Sequence, residues 1–349
     1  MKPYIYLRAL RQVDYSVFAV SEGQKKYYDP TAGQSVAFSA GQQVKRSIID
    51  SILTDLNEQI APVIFNYEIK DKKKVSEKEA LSMADPSYTD QLLGGWMSAA
   101  QKSIPVKRRS PLSISAMRPL HPSLSSIHSE NMTFDRSSHH GVHKIVVKDA
   151  KGNEIESEDL QQFLTTNQRT LPARKFLQDQ KRTGGLFVYD IAIDLRTLFA
   201  VSINETEPEL TQEVVEKLKS DGWVTSRNSF GECLVCPKER RESIIKALAK
   251  GLINWKITSN QARTYDSMKF LAVAVSQNAN KITPAIRGRL IDEKKAIPVI
   301  QEGIKETQTF VTLDADGVFQ DLNFDIDAIE KAEQHLIDLM MVFDYENQI

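Results

Sequence analysis

The stretch FSAGQQVKRSIIDSIL (residues 38–53) begins with small and amide residues, continues with two adjacent cations, and ends in an apolar run. The apolar positions recur at the spacing of one helical face and are Val44, Ile48, Ile49, Ile52, Leu53 and Leu56. This spacing predicts an amphipathic helix of about four turns. Lys45 and Arg46 are expected in its first turn, where backbone N–H groups have no partner within the helix. A bound phosphate explains two cations at such a position, and a solvated surface pair is the alternative.

The segments around this helix alternate between strands and helices. YIYLRALRQVDYSVFAV (4–20) is predicted to be a strand of a sheet covered on one side, with Ile5 and Leu7 on one face and Arg8 on the other. Further strands are predicted at GGLFVYDIAIDLRTLF (184–199), SFGECLVCP (229–237) and SMKFLAVAV (267–275), and further helices at 211–224, 238–255 and 325–343. The segments 22–34 and 70–80 are predicted to be a loop and a polar connection. No regular βαβ repeat or glycine-rich phosphate loop is present, so we predict an α+β fold.

Composition limits the class of protein. The 349 residues allow two domains or one domain with large insertions, and 41% apolar with 26% charged residues is typical of globular proteins. No apolar run of membrane-spanning length occurs, and the chain begins with charges where a signal peptide needs an apolar segment. We therefore expect a cytoplasmic protein without a membrane partner. Two cysteines, Cys233 and Cys236, fit a reducing compartment.

Charge is distributed unevenly although the net charge is only -1. Residues 102–148 contain eight Lys/Arg and two Asp/Glu, whereas residues 291–349 contain four Lys/Arg and fourteen Asp/Glu. The first region is suited to a polyanion and the second to a basic neighbour.

Basic residues recur at the edges of loops and the starts of elements, where they can reach a phosphate backbone. These cations are Lys45, Arg46, Lys107, Arg108, Arg109, Arg118, Arg136, Arg169, Arg174, Lys175, Lys181 and Arg182. Neutral hydrogen-bonding groups nearby are Gln42, Gln43, Ser110, Asn260 and Gln261, and Arg8 and Arg263 complete the predicted RNA-binding set. Each cation alone is typical of a solvated surface, but together they favour a nucleic-acid ligand held without strict sequence reading.

Two other groups of residues suggest different chemistry. Five of the six histidines are His121, His128, His139, His140 and His143. This stretch has no nearby cysteine and no histidine pair at helical metal-ligand spacing, so we predict no metal site. A histidine beside basic residues is also the general base expected of a metal-independent endoribonuclease, and this alternative stays open.

The cysteines and a short acidic segment favour structural roles. Cys233 and Cys236 form one C-x-x-C pair without the second pair of a zinc ribbon, so packing is predicted. Asp314 to Gly317 has only part of a calcium-loop pattern, so a turn is predicted. No cofactor is expected.

The order of motifs along the chain resembles one family. Five segments resemble the CRISPR-associated Cascade backbone subunit, the Cas-seven superfamily, in its DevR/Cst-type branch. They are AGQQVKR (40–46), PSYTDQLLGGWM (86–97), KRRSPLSISAMRPLHP (107–122), MTFDRSS (132–138) and SNQARTYDS (259–267). The family commonly has a serine before the first glutamine of the helix start, where this chain has Gly41. The acidic region beyond residue 290 has no counterpart in this resemblance.

The resemblance implies an RRM-like (ferredoxin-like) palm with large finger and thumb insertions. The palm is expected at 1–69 and 186–290, the finger at 70–146, the thumb at 147–185, and an acidic C-terminal helical extension at 291–349. It also implies that several copies stack along a CRISPR RNA with other Cascade subunits and support binding of target DNA through guide pairing. Such a subunit binds nucleic acid and is not an enzyme.

Overall fold

The computed structural model describes residues 2–18, 23–70, 74–98, 105–135, 142–257 and 265–349. The chain divides into two compact units, one formed by 1–127 with 183–349 and the other by 128–182. The boundaries expected for palm, finger, thumb and extension are not tested by this division and stay predictions.

The strands begin and end as follows: β1 Tyr4–Ser16, β2 Lys26–Asp29, β3 Gln34–Ala37, β4 Val63–Lys70, β5 Lys74–Ser82, β6 Trp96–Ser98, β7 Val106–Arg108, β8 Leu112–Ile114, β9 Arg118–Pro119, β10 Ser125–Asp135, β11 Arg174–Asp194, β12 Ala200–Ser202, β13 Val224–Asn228, β14 Gly231–Val235, β15 Lys269–Ser276, β16 Ile286–Leu290, β17 Ala296–Ile300 and β18 Thr307–Val311. The helices are α1 Gly41–Leu56, α2 Thr89–Gly94, α3 Ser157–Thr166, α4 Leu195–Leu198, α5 Gln212–Ser220, α6 Lys238–Asn254, α7 Ala279–Ala285 and α8 Ala328–Met341, with 3-10 turns η1 Pro122–Leu124 and η2 Leu313–Ala315. The predicted α+β class is confirmed.

The main sheet has the strand order β10-β11-β1-β15-β18, and the short strands β8 and β9 also pair with β11. β1 lies at its centre and is antiparallel to both β11 and β15, with Tyr6 opposite Ala192 on one side and Ser276 on the other. The predicted strands at 4–20, 184–199 and 267–275 are therefore neighbours in one sheet.

One face of this sheet packs against helices. Ile5 and Leu7 of β1 belong to the same buried core as Ile48 and Ile52 of α1 and Leu248 of α6. The contact between α1 and α6 is close, because a Cβ on Gly251 would lie 2.5 Å from Cγ1 of Ile52. The periodic apolar residues that predicted α1 are thus the residues that α1 buries.

The opposite face is covered as well, which corrects the expectation of a sheet covered on one side. Leu10, Val188 and Ala272 pack in a second core with Ile286 and Ile300 of the β16–β17 hairpin. The alternation in β1 separates two cores here instead of separating core from solvent.

Several elements are not predicted by the sequence, among them the β2–β3 and β4–β5 hairpins and the helix α3. The segment 22–34, predicted to be a loop, contains β2 and the turn that leads into β3, and the polar connection at 70–80 contains most of β5, which pairs with β4. The segments 22–34 and 70–80 show no apolar alternation, because most of their side chains face solvent. The apolar residues of β4 do alternate, but Phe65 and Ile69 are exposed, so the alternation marks no buried face. The helix α3 has no buried residue, so its sequence likewise gives no sign of a side that faces a core.

The cysteines lie in the small sheet β12-β14-β13, or directly after it, and are fully buried. Burial raises the pKa of Cys233 to about 11 and that of Cys236 to about 12, so both are unreactive thiols that fill the core. Their predicted packing role is confirmed, and the predicted turn at Asp314 is part of η2.

Candidate nucleic-acid interface

The start of α1 differs from its prediction by one turn. The helix begins at Gly41, so Lys45 and Arg46 lie in its second turn. Its N-cap residue is Ala40, which provides no side-chain hydrogen bond to the first backbone N–H groups. Those donors, together with the helix dipole, favour an anion at this end.

Glycine is required at position 41 by a close approach of the backbone. A Cβ there would lie 2.7 Å from the carbonyl oxygen of Ile114 and 3.2 Å from the carbonyl carbon of Ser115. The chain after β8 therefore passes directly against the start of α1. This contact leaves no room for a side chain at position 41.

The segment from Ser115 to Arg118 is fixed by hydrogen bonds on both sides. The backbone N–H groups of Ser39 and Met117 donate to each other's carbonyl oxygens over 2.9 and 3.0 Å. The Ser115 hydroxyl accepts from the backbone N–H of Asp190 at 2.8 Å. These contacts bring Arg118, the start of α1 and the middle of β11 together.

Two arginines share one carboxylate at this place. Arg8 Nε lies 3.0 Å from Asp190 Oδ1, and Arg118 Nη2 lies 3.8 Å from Asp190 Oδ2. Burial lowers the pKa of Arg8 and raises the pKa of Asp190, while the facing arginines oppose the rise at Asp190. Arg8 is almost fully buried, whereas the side chain of Arg118 is 53% exposed. The group thus has one positive charge in excess, and Arg118 can offer it to a ligand.

An aromatic residue that sequence reasoning missed lies near Arg118. Tyr27 of β2 is 40% exposed, and its ring packs edge-on against Phe38 at 5.6 Å. Burial raises the pKa of Tyr27, and the positive charge of Arg118 opposes that rise. An exposed aromatic ring beside a cation is suited to stacking on a base of single-stranded RNA. The adjacent pair Tyr27-Tyr28, preceded by two lysines, was the available signal in the sequence.

The predicted residues on α1 have different surroundings. Gln42, Lys45 and Arg46 share one side of the helix by their spacing of three and four residues. Gln42 is exposed, and Gln43 accepts a hydrogen bond from the Ser39 hydroxyl at 3.0 Å. Arg46 forms an exposed ion pair with Asp50 at 2.9 Å, so it is the cation of this group that is already paired.

Lys45 is half-buried, and its Nζ donates to the carbonyl oxygen of Gly94 at 3.2 Å. Burial and the nearby charge of Arg108 lower the pKa of Lys45 to about 8. Lys45 therefore loses its proton between neutral and mildly alkaline pH.

RNA affinity is expected to fall as pH rises from 7 to 9, because protonated Lys45 attracts phosphate and neutral Lys45 does not. The sign follows from the lowered pKa: the charge is present below about 8 and lost above it. Fluorescence anisotropy with a labelled single-stranded RNA across this pH range measures the effect. In Lys45→Met the decline should disappear, and a decline of the same size in that variant would rule out Lys45 as its source.

The basic triplet at 107–109 is split by the alternation of β7. Lys107 and Arg109 are exposed, but Arg108 lies on the buried side with Val106. The Arg108 guanidinium donates to the carbonyl oxygens of Leu92, Thr197 and Ala200. This corrects its expected placement: Arg108 stabilises the core and is left out of the interface.

Ser110 also has a structural environment. Its hydroxyl donates to the carbonyl oxygen of Leu93 at 2.7 Å and accepts from the backbone N–H of Leu112 at 3.1 Å. These bonds close the turn after β7, so the hydroxyl is engaged by the protein itself.

The remaining predicted cations belong to the second unit, 128–182. Arg169 and Lys175 are exposed, and Arg174 pairs with Asp135 at 2.6 Å. Lys181 donates to the Ser129 hydroxyl, and Arg182 is buried rather than exposed as expected. Arg136, Asn260, Gln261 and Arg263 lie outside the described residues.

The histidines offer little support for a catalytic site. His121 caps η1, with its Nδ1 accepting from the backbone N–H of Ser123 at 3.2 Å. His128 and His143 are exposed, and His139 and His140 lie outside the described residues. Across the described ranges no cluster of three His, Cys, Asp or Glu side chains is arranged for a metal ion. Of the helices in those ranges, none combines the length and apolarity needed to cross a membrane.

No protein-family model matches the chain, and no curated protein matches it. Among solved structures, it is similar to a chain described as "CRISPR RNA-guided surveillance complex, pre-nicking", with 10% identity, 96% of this chain and 89% of that chain covered, and a TM-score of 0.48. A second, described as "CRISPR RNA-guided surveillance complex", has 9% identity, 96% and 84% coverage, and a TM-score of 0.39. Over nearly its whole length, the chain is thus similar to chains of CRISPR RNA-guided surveillance complexes.

Proposed function

We propose that this chain is a guide-RNA-binding backbone subunit of a type I CRISPR effector (Cascade) complex in the cytoplasm. In this role several copies stack along the CRISPR RNA beside other Cascade subunits. The guide held by these copies pairs with target DNA, so the protein supports target binding without reading the target sequence itself.

The observation that carries the proposal is the grouping at the start of α1. An uncapped helix start, two arginines around one carboxylate and an exposed tyrosine come from five separate stretches of sequence. Together they offer donors and positive charge for a phosphate and a flat ring for a base. That combination is suited to single-stranded RNA of any sequence.

The strand order supports an RRM-like palm. Four neighbouring strands of the main sheet are β10, β11, β1 and β15. Along the chain, these strands and the two helices packed on one face of the sheet follow the order β1-α1-β10-β11-α6-β15, which is the β-α-β-β-α-β order of ferredoxin-like folds. In RRMs, aromatic residues on the sheet bind RNA. The second core covers much of that surface here, so the proposal places the RNA at the ends of elements.

The proposal assigns binding rather than catalysis to this site. Its charged side chains are arginines, Lys45 and one aspartate, and the histidine closest to it in sequence, His121, is engaged as a cap. The alternative, a metal-independent endoribonuclease, needs a histidine positioned against the RNA backbone.

Arg118→Ala is expected to weaken binding of single-stranded RNA by a similar factor for every sequence. It should also lower the slope of log affinity against log salt by about 0.7, the value for one lost contact to a single-strand phosphate. Filter binding at several salt concentrations measures both quantities. Arg227→Ala is the matched control, because Arg227 is an exposed arginine on β13 of the same unit.

An unchanged salt slope in Arg118→Ala would contradict the assignment of this site. The same samples test the alternative, since RNA incubated with chelator should stay intact. RNA cleavage that disappears in His121→Ala or His128→Ala would replace the binding proposal with the endoribonuclease.

A further inference from the structure

The hairpin formed by β16 and β17 ends in an exposed turn that combines apolar and basic side chains. Leu290 and Ile291 are each 60% exposed, and Arg289 beside them is exposed as well. The charged residues of the hairpin are Arg287, Arg289, Asp292, Glu293, Lys294 and Lys295, which give it a net charge of +2. We call residues 287–295 the basic hairpin tip.

The base of this hairpin is held by the protein, so its tip has a defined position. Ile286 and Ile300 are paired across the two strands and belong to the second core. The backbone N–H of Ala296 donates to the Ser123 hydroxyl of η1 at 3.0 Å. Because η1 follows β9, which pairs with β11, the tip lies on the β11 side of the main sheet.

A second exposed apolar site occurs within the acidic region. A parallel bridge between Thr312 and Asp325 brings the next residues, Leu313 and Ile326, to neighbouring positions, where they are 54% and 77% exposed. The charged residues around them are Asp314, Asp316, Asp325, Asp327, Glu330, Lys256 and Lys331. Lys331 pairs with Asp325, and Lys256 lies within electrostatic range of Asp314. We call the whole group the acidic patch, and its five carboxylates and two lysines give a net charge of -3.

The tip and the patch lie on opposite sides of the main sheet. The patch directly follows β18, the last strand in the order β11-β1-β15-β18. Three steps between neighbouring strands separate β11 from β18, a distance of about 14 Å. In the part of the chain that the structure describes, no hydrogen bond or ion pair joins the tip to the patch, and both are exposed. They therefore do not cover each other within one molecule.

The composition of the tip favours a protein partner over a nucleic acid. Leu290 and Ile291 gain nothing from a phosphate backbone, and Asp292 and Glu293 repel one. A partner surface that is apolar at its centre and acidic around it suits both the apolar and the basic side chains of the tip. Every copy of this chain carries such a surface, the acidic patch.

We propose that the basic hairpin tip of one copy docks on the acidic patch of the next copy. Apolar side chains supply the centre of this contact and opposite charges its rim. Because two different surfaces from opposite sides of the sheet meet, the contact is heterologous and adds copies in one direction. The inference rests on the proposed function only in that copies stack, and it names the two surfaces that meet.

Two double variants test the apolar centre of the contact in the full chain without RNA. They are Leu290→Ser/Ile291→Ser in the tip and Leu313→Ser/Ile326→Ser in the patch. Sedimentation velocity should show oligomers of the parent that grow with concentration, and each variant alone should raise the Kd of self-association by about tenfold or more. An equal mixture should form a one-to-one dimer with the affinity of the parent, because one intact tip and one intact patch remain. This dimer also shows that both variants are folded.

Charge reversal tests the rim of the contact. Lys294→Glu/Lys295→Glu and Asp314→Lys/Asp316→Lys should each weaken self-association by about tenfold or more, and the chain with all four changes should regain it. Added salt should weaken the self-association of the parent, because it screens the opposite charges.

Two control variants change matched residues elsewhere. Phe163→Ser replaces an exposed aromatic residue of α3, and Lys238→Glu/Lys246→Glu reverses two exposed lysines of α6, which packs on the other face of the main sheet. Both should assemble like the parent. The inference is overturned by a parent that stays monomeric with and without RNA, by a tip or patch variant that assembles like the parent, by a mixture without dimer, or by equal losses in the controls.

Binding of RNA is measured in parallel, so that the inference and the proposed function can fail separately. Affinity for an RNA short enough for one copy should be the same in the parent and in the two apolar double variants. A parent that does not bind this RNA defeats the proposed function alone. Loss of binding only in Leu290→Ser/Ile291→Ser shows that the tip binds RNA instead of a second copy, which overturns the inference.

Discussion

Arg108→Ala is expected to lower the free energy of unfolding by about 3–5 kcal/mol, the usual effect of removing one partner of a buried charged pair. The guanidinium is buried, it donates to three carbonyl oxygens, and its Nε lies 3.8 Å from Glu209 Oε2. Burial raises the pKa of Glu209 and the charge of Arg108 opposes that rise, so the variant leaves a poorly solvated carboxylate without its cation. Urea denaturation followed by tryptophan fluorescence measures the change, since the Trp96 ring packs against the guanidinium at 5.5 Å.

The neighbouring residue provides the control. Arg109→Ala removes an exposed arginine of the same triplet and should change the free energy of unfolding by no more than about 0.5 kcal/mol. Equal losses in both variants would contradict the buried role of Arg108.

Gly185→Ala is expected to lower the free energy of unfolding by about 2–5 kcal/mol, from backbone strain and steric overlap together. Gly185 has φ +128°, and a Cβ there would lie 2.2 Å from the carbonyl oxygen of Leu124 and 2.6 Å from Cα of Ser125. Backbone atoms cannot move aside as a flexible side chain can, so β11 must shift away from the start of β10. Loss of cooperativity or a lower urea midpoint in the same fluorescence measurement reports this change.

Gly222→Ala separates the two causes. Gly222 also has a left-handed backbone, with φ +83°, but no atom lies within 4 Å of its added Cβ. Strain alone should cost about 1–2 kcal/mol there. If Gly185→Ala proves no more harmful than Gly222→Ala, the close approach to Leu124 is not important for stability.

The elements that could be predicted from the sequence are those that bury a periodic apolar face. α1 and α6 were predicted because residues such as Ile48 and Leu248 recur at helical spacing and do enter the core. β11 and β15 were predicted because β-branched residues fill strands that are covered on both faces. Periodicity and burial have the same physical cause in these elements, so one indicates the other.

The β2–β3 and β4–β5 hairpins could not be predicted on that basis. Backbone pairing stabilises them while Tyr28 and Phe65 stay exposed, so periodicity and burial are not linked in these strands. The sequence does not indicate the stacking candidate Tyr27 for this reason, since it lies on β2, within a segment predicted to be a loop.

The site could be predicted only in part, because residue type does not decide whether a cation is buried. In Val106-Lys107-Arg108, alternation places Arg108 beside a buried valine, and this pattern was the available signal for its structural role. Arg8 and Arg118 are far apart in sequence and meet only through pairing across β1, β11 and β9. Their shared partner Asp190 was therefore not recognised as part of the site.

The pairing of β18 with β15 changes what the acidic region means for the molecule. Val273 and Phe310 are opposite each other in the main sheet, so a segment rich in carboxylates contributes a structural strand. The carboxylates of this region are therefore connected to the main sheet through β18. Proteolytic trimming that removed this region would uncover the edge of β15 and expose an unpaired strand prone to aggregation.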